Sequence, residues 1–511
     1  MRKILLGTTI VACLMAGSAA HANKADGVLR LAFSDPIEGI DQILDPKTET
    51  DFTDAAVFSR LLHYDPDTKS YKGELAESFK LIDPVTLEFK LKTGITFHDG
   101  SPFGADDVVY TVNYLADPRN KFRLKTRFSF LKNAEKLDDR TVLVHMNKPY
   151  GPALARFASS LPIYPAAAHG ALKDKADWGR HPIGTGPYRA VSIDASKGIV
   201  LEAFKDYKVG TPPKIKKIEI KPIPDSQSQL AELMTGGIDA VAANSLDMVQ
   251  VATANPSLVA TSTHDLNFLY VLLDAKGRSG VKPLQDIRVR QAIFMALDRD
   301  ALRKAVVAAG KDAEQLNRIC FGIQIGCPEG GKSPAFNPAA AKKLLADAGY
   351  ANGFKVEITA FDAVRKAAEA IAGYLRAIGI EASVDSQTMA GYRQKQSGGK
   401  IQILVHSYSH GGLPDAGYAL DFFYGAADLD YAGDAKLKEL SVQANSATDL
   451  ALRQAAMKSA YDRIESESYI MPISANPTVF IHTKDVELDM TDKAGMLNPF
   501  GASPATFRFA R

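Results

Sequence analysis

The chain has 511 residues, of which 61 are basic and 59 acidic, and 46% are hydrophobic. This length predicts two or three domains with a substantial core. The near-neutral charge argues against nucleic acid as a partner, because phosphate binding needs a basic field.

The N-terminus is typical of a cleavable secretory signal peptide. Two basic residues precede an apolar run over residues 4–16, and residues 20–22 (Ala-His-Ala) match the small-x-small pattern of a cleavage site. Residues 1–22 are therefore predicted to be removed, so that the mature chain begins at Asn23. A lipoprotein signal ending at Cys13 is the alternative. No later stretch of the sequence is apolar for long enough to form a transmembrane helix, and we expect an exported, periplasmic protein.

Two cysteines follow the signal segment, Cys320 and Cys327, in a stretch that contains glycine and proline. In the oxidising compartment that a signal peptide implies, we expect them to form a disulfide that closes a small loop. Two thiols alone do not make a structural zinc site, which usually needs four ligands.

Short strands and turns dominate the first part of the mature chain. Alternating apolar residues predict strands over residues 26–34, 86–92 and 141–146. The turn Phe-His-Asp-Gly at 97–100 contains a His-Asp pair of the kind that hydrolases use. Because Asp-Gly is also ordinary turn chemistry, we interpret this pair as structural.

The middle of the chain contains two clear turn signals. Gly186-Pro187 predicts a tight, stiff turn. A helix over residues 228–235 is predicted to end at Gly236-Gly237 and to lead into a strand that carries Asp239.

The second half alternates between strand and helix patterns. Asp286 and Asp300 are candidate helix N-caps, and Gly310 is a candidate helix end. A strand–helix–strand series predicts at least two parallel strands. The predicted elements are a helix at 337–349, a strand at 355–361, a helix at 363–378, strands at 381–385 and 401–406, and a helix at 449–467.

Motifs along nearly the whole mature chain resemble those of family 5 extracellular solute-binding proteins, which include dipeptide, oligopeptide and nickel receptors of ABC importers. The motifs are FHDG at 97–100, P-x-GTGPY at 182–188, RVRQAI at 288–293, AGY at 348–350 and a proline at 472 in the C-terminal region. Their order matches the order in the family.

The resemblance implies an α/β protein with the two-lobed periplasmic-binding-protein fold of cluster C type and an inserted α+β subdomain in the first lobe. Lobe I is then discontinuous. The expected segments are 23–56, 182–268 and 477–511 for lobe I, 57–181 for the inserted subdomain, and 269–476 for lobe II.

The resemblance also implies a function. We expect the substrate-binding component of an ABC importer, a monomer that closes about a hinge on a peptide-like solute and delivers it to an inner-membrane permease. An opine, a sugar or a nickel chelate is an alternative ligand, and a membrane sensor an alternative partner. The sequence contains no HExxH, Walker or GxSxG motif, so a secreted hydrolase is less favoured, and no cofactor is expected.

The segment 405–425 is the expected ligand-binding loop, because it follows a strand and contains Gly411-Gly412. Tyr408 stands where family members carry a tryptophan, and Asp415 resembles part of their acidic stretch. Asp415 is expected to bind a ligand ammonium group or, alternatively, to make a loop hydrogen bond.

Further candidates for ligand binding are His410 in the same loop, together with Phe33, Asp35 and Asn244 at strand ends of lobe I. His406 and His410 are four residues apart, so metal coordination by this pair stays open.

Overall fold

The computed structural model describes residues 26–123, 125–425 and 429–510. The predicted signal peptide, 1–22, lies outside the described residues. Within the described part of the chain, no helix is long and apolar enough to cross a membrane.

A seven-stranded sheet contains strands from both ends of the chain. Val28–Phe33 lies at its centre and is parallel to Lys217–Pro222 and to Ala240–Ala243. The strand order is Leu258–Ser262, Val479–Thr483, Ala240–Ala243, Val28–Phe33, Lys217–Pro222, Gly198–Ala203 and Tyr188–Asp194.

A five-stranded sheet occupies the second half of the chain. The predicted strand–helix–strand unit is present, because Lys355–Phe361 is parallel to Glu381–Gln387. Alternate residues of its strand Asn267–Leu273 pack into separate hydrophobic cores on the two faces of the sheet. The strand order is Glu381–Gln387, Lys355–Phe361, Ile403–Ser409, Asn267–Leu273 and Ile470–Ala475.

A four-stranded antiparallel sheet lies between the first and second strands of the large sheet in chain order. Its strands run in the order Ala76–Asp83, Thr86–Leu91, Thr141–Met146 and Leu131–Asp138. Its hydrophobic core is continuous with that of the seven-stranded sheet. Two strand pairs complete the sheets: Leu62–Asp65 with Ser70–Gly73, and Val486–Leu488 with Phe507–Phe509.

The helices cover the sheets. They are Thr48–Val57, Ala105–Ala116, Ala153–Ser159, Ala166–Ala171, Ser226–Thr235, Leu246–Thr253, Ile287–Met295, Arg299–Val306, Pro338–Asp347, Arg365–Ala377, Met389–Ser397, Gly417–Leu420, Ala435–Ser446, Leu450–Ser466 and Lys493–Met496. Asp286 caps Ile287–Met295, as predicted. The predicted cap Asp300 is wrong: the Asp298 side chain accepts from Ala301 N, and Asp300 lies in the first turn. Gly310 is not the helix end either, because the backbone is already extended at Val307.

The FHDG turn joins the inserted sheet to the large sheet. His98 Nε2 and the carbonyl oxygen of Gly186 are 2.9 Å apart, and the backbone N–H of His98 donates to Gly184 O. Burial lowers the pKa of His98 to about 4, so the ring is neutral at pH 7. These contacts fit a structural role for His98, since it fixes the GTGPY segment against the inserted sheet.

The chain crosses between the two large sheets twice, at residues 263–266 and 476–478. The buried carboxylate of Asp265 accepts hydrogen bonds from Thr478 N, at 2.9 Å, and from Thr478 Oγ1, at 2.6 Å. Asn476 N donates to Asn267 O. The two crossings are therefore bonded to each other, as the two strands of a hinge would be.

Candidate functional site

A cavity of about 180 Å³ lies between segments that pack with the seven-stranded sheet and a loop that follows a strand of the five-stranded sheet. One wall comprises the helix Thr48–Val57 and residues 494–503, which pack with the seven-stranded sheet. The facing wall is the loop 411–414, which follows a strand of the five-stranded sheet. Larger cavities of about 580 and 350 Å³ lie at the hinge and beside the inserted sheet. The predicted loop borders two of these cavities: Asp415 lines the one of 350 Å³, and Gly411, Gly412 and Pro414 line the one of 180 Å³. We take the smaller one as the candidate site, because three residues of the predicted loop line it.

The loop makes a close approach to the opposite wall. Gly411 and Gly412 have positive φ angles of 61° and 69°. A Cβ atom on Gly412 would lie 2.9 Å from the carbonyl oxygen of Leu497. Glycine at this position therefore allows both the left-handed backbone and the close contact between the walls.

The loop closed by the disulfide contacts the loop 411–414. Cys320 and Cys327 form a disulfide. Between them, the buried amide of Gln324 donates to Leu413 O at 3.0 Å and contacts Nδ1 of His410 at 3.1 Å. The disulfide therefore restrains the segment that holds one wall of the cavity.

Replacing both cysteines with serine is expected to lower the free energy of unfolding by about 2–3 kcal/mol, because the short cross-link restricts the unfolded chain. The measurement is urea unfolding of the oxidised protein and the double variant. Adding reductant to the wild type should reproduce the loss, and adding it to the double variant should change nothing. Equal stability of the two proteins would contradict the prediction.

Asp415 forms a buried ion pair with Arg453. Its Oδ1 lies 2.7 Å from Arg453 Nη2 and its Oδ2 lies 2.8 Å from Nη1, while Gly417 N donates to Oδ1 at 2.9 Å. Both residues are at most 5% exposed. Since both carboxylate oxygens are engaged within the protein, this geometry favours the loop hydrogen-bonding alternative over capture of a ligand ammonium group.

The other candidates in the loop are buried. Tyr408 packs against Phe268 and Phe422, and its hydroxyl has no hydrogen-bond partner among the described residues. His410 is fully buried, and burial lowers its pKa to about 3. No group of three or more His, Cys, Asp or Glu residues in the described chain could hold a metal ion, and His406 lies against the rings of Tyr392 and Phe361 instead.

The three candidates from lobe I lie elsewhere. Phe33 is buried, and its ring packs against Phe52 and Phe500. Asp35 and Asn244 are exposed, and the Asn244 amide donates to the Ser226 hydroxyl. None of the three lines the cavity described above.

Two carboxyl groups that the sequence did not indicate line the cavity. Asp51 and Glu74 are half-buried there, and neither forms an ion pair with a described residue. Burial raises the pKa of each to about 7. A weak sequence signal existed for the first, because Asp51 and Asp54 lie three apart in the helix Thr48–Val57 and so share a face.

The arginine beside these carboxyl groups is already engaged. The Arg60 guanidinium pairs with Asp54 and donates to Phe58 O at 2.9 Å and to Ser159 O at 3.2 Å. Asp51 and Glu74 thus present to the cavity acidic groups that have no ion-pair partner among the described residues. A ligand ammonium group is the natural complement of such a site.

Comparison with known proteins agrees with the family resemblance seen in the sequence motifs. The family model "Bacterial extracellular solute-binding proteins, family 5 Middle" matches residues 70–430. The glutathione-binding protein GsiB of Shigella dysenteriae serotype 1 is 25% identical over 510 residues, covering 95% of this chain and 95% of that protein.

Solved structures share the fold. DppA from Helicobacter pylori in complex with the peptide STSA has a TM-score of 0.75 and 21% identity, covering 95% of this chain and 98% of that one. NikZ from Campylobacter jejuni in complex with Ni(L-His) has a TM-score of 0.75 and 20% identity, covering 90% and 95%. These similarities confirm the expected two-lobed fold with an inserted subdomain.

Proposed function

The chain belongs to family 5 of the bacterial extracellular solute-binding proteins, and from this premise we propose that it captures a peptide-like solute through the solute's ammonium group. The observation that carries the proposal is that two carboxyl groups, Asp51 and Glu74, line a cavity bordered by segments of both lobes and form no ion pair with a described residue. Carboxylates in a site with little water bind a cation more strongly than they do on the surface.

The proposed mechanism is hinge closure. Lobe I comprises 23–56, 182–268 and 477–511, with the insertion 57–181, and lobe II comprises 269–476. The crossings at 263–266 and 476–478 lie within a few residues of the boundaries of this division, and the shared core of the first lobe and its insertion also supports it. Closure brings the loop 411–414 against the first lobe, so that contacts from both lobes hold the solute.

The partner in this proposal is an inner-membrane ABC permease, which receives the solute from the closed monomer in the periplasm. The names of the similar proteins support a range of cargoes, including glutathione, peptides and a nickel chelate. The unpaired carboxyl groups favour the peptide-like solutes within that range. No catalytic step is proposed, because binding and release need no bond to break.

The test is a pair of peptide libraries, of two to five residues, with free and with acetylated N-termini. Native mass spectrometry of the purified protein should detect members of the free library, and calorimetry on synthesised hits should give micromolar affinity or better. The acetylated form of each hit should bind at least about tenfold more weakly, because it lacks the ammonium group. Equal binding of both forms would overturn the proposal, and so would hydrolysis of the bound peptide on prolonged incubation.

A further inference from the structure

A second cavity, of about 350 Å³, lies between the inserted subdomain and lobe II, and no residue lines both this cavity and the candidate site. One wall is the four-stranded sheet with the helix Ala153–Ser159, and the other is the start of the helix Leu450–Ser466 with residues 447 and 448. The apolar side chains in the lining include Phe79, Leu81, Leu87, Met146, Leu154 and Leu450. A cavity of this size with a mainly apolar lining is typical of a small-molecule site.

The charged groups of this cavity do not call for a charged occupant. Asp415 and Arg453 line it, but they neutralise each other in their buried ion pair. Lys69 also lines it and is exposed, so its ammonium group stays in water. A charge brought between the apolar walls would lose its hydration without gaining a counter-ion. The lining therefore favours an uncharged, mainly apolar molecule.

The lining also includes Tyr71, whose hydroxyl is a hydrogen-bond donor. This hydroxyl is buried and has no hydrogen-bond partner among the described residues. Burial holds the pKa of Tyr71 well above its ordinary value, so the hydroxyl keeps its proton. A buried donor without an acceptor costs free energy, which an acceptor on a bound molecule would recover. An apolar occupant would also cover Leu81 and Leu450, which are 42% and 53% exposed.

Contacts beside the cavity join the inserted subdomain to lobe II. The backbone N–H of Gly151, which lines the cavity, donates to Asn445 O at 2.7 Å. The Tyr64 hydroxyl donates to Ile323 O at 2.6 Å. The inserted subdomain shares its core with the seven-stranded sheet, so it moves with lobe I about the hinge. A molecule that contacts both walls therefore binds the closed arrangement more tightly than an open one, and by linkage it raises the affinity for the solute.

We propose that this cavity is a second binding site, for an uncharged, mainly apolar molecule with one hydrogen-bond acceptor, and that its occupancy favours closure of the lobes on the solute. The acceptor receives the hydrogen bond of the Tyr71 hydroxyl, and the apolar body fills the space between the two walls. The site itself is independent of the proposed function. Only its effect on solute affinity rests on that function.

The probes for the site are benzophenone and diphenylmethane, which are nearly equal in size and shape, although only the ketone has an acceptor. Calorimetry should detect both with the wild type. Tyr71→Phe should weaken the binding of benzophenone by about three- to tenfold, because it removes one hydrogen bond, and should change that of diphenylmethane by less than about twofold. Irradiating bound benzophenone cross-links its ketone carbon to nearby C–H groups, and peptide mapping should place the link on the two walls.

Leu154→Trp fills the cavity and should weaken the binding of both probes by at least about tenfold. Leu137→Trp is the matched control, because Leu137 is 56% exposed on the same sheet and does not line the cavity. It should bind both probes as the wild type does. Three results would overturn the site: no binding of either probe to the wild type, cross-links outside the two walls, or unchanged probe binding by a folded Leu154→Trp protein. Unchanged benzophenone binding by Tyr71→Phe would overturn the role of the hydroxyl.

A peptide that binds from the free-N-terminus library tests the effect on closure. Saturating benzophenone should raise the affinity of the wild type for this peptide by about fivefold or more, and it should leave the affinity of Leu154→Trp unchanged. An unchanged affinity of the wild type would overturn the coupling between the two sites. Failure of every peptide to bind would overturn the proposed function and the coupling with it, while the probe measurements decide the site separately.

Discussion

Arg453→Met is expected to lower the free energy of unfolding by about 3–5 kcal/mol, the largest effect predicted for a single substitution in this protein. Asp415 would remain buried without its two bonds from the guanidinium, which are 2.7 and 2.8 Å long. Arg453 also donates from Nε to Ala444 O at 2.7 Å, so that the loop end and two helices are joined at this side chain. Urea unfolding of the two proteins measures the difference.

The control for this prediction is Lys458→Met, in the same helix. Lys458 pairs with Asp462, but the two side chains are 63% and 43% exposed, so the loss should be under about 1 kcal/mol. The double variant Asp415→Leu/Arg453→Met should recover part of the loss, because no buried charge is left alone. A cost below about 1 kcal/mol for Arg453→Met would show that the pair does not stabilise the fold.

Replacing Asp415 distinguishes a structural role of its carboxylate from a role in ligand binding. If the carboxylate holds the loop, Asp415→Asn lowers stability and leaves the affinity of the folded fraction within a few-fold of the wild type. If it binds the solute directly, affinity falls more than stability. Measuring peptide binding well below the melting temperature, where the variant is folded, distinguishes the two.

Much of the fold could be predicted, because its signals are local. The strand Lys355–Phe361 matches its predicted bounds, and the helix Leu450–Ser466 begins after its cap Asp449, at the predicted place. The predicted start of a helix is wrong by a few residues where two nearby acidic residues could each be its N-cap, as with Asp298 and Asp300. The strand Asn267–Leu273 begins before the expected lobe boundary at 269, because its first residues pair with the strand Ile403–Ser409.

The candidate site could be predicted only in part. The loop 411–414 had a local signal, a strand followed by two glycines. Asp51 had only its spacing from Asp54 as a signal, and Glu74 had none, because contact between segments far apart in sequence brings both residues to the cavity. The partner of Asp415 is likewise a residue 38 positions away, and no local pattern pairs an aspartate with one particular arginine at that distance.

Asp51→Asn is expected to weaken the binding of an ammonium-bearing peptide by about 10- to 100-fold, because it removes a charge-assisted hydrogen bond from a half-buried site. The wild-type affinity should also rise between pH 5 and pH 7, a range in which the peptide α-amino group, with a pKa of about 7.7–8, stays mostly charged. The pKa of Asp51 is raised to about 7 in the empty cleft, and a bound ammonium group favours the ionised form, so binding releases protons. The charged groups around it are Arg127 and Arg60, which lower its pKa, and Asp54 and Glu49, which raise it.

Calorimetry in phosphate and in Tris at pH 7 counts the released protons, because the two buffers take them up with different heats. The variant should release fewer protons than the wild type, with the remainder coming from Glu74, whose pKa is also raised to about 7. Asp139→Asn is the control, since that side chain is 95% exposed and pairs with Lys136 at the surface. A wild-type affinity that is flat from pH 5 to pH 7 would contradict an ammonium site at Asp51.

The pH dependence of protein stability gives an independent test of the role of Asp51. A carboxyl group whose pKa is raised in the folded state binds more protons there than in the unfolded chain, so its ionisation destabilises the fold as pH rises from about 4 to about 7. The asparagine variant avoids that cost, so the empty variant should be more stable than the wild type at pH 8, and this difference should vanish near pH 3. A substitution that stabilises the empty protein and weakens binding identifies a residue whose role is ligand binding. Replacing a residue with a purely structural role would instead lower the stability of the protein.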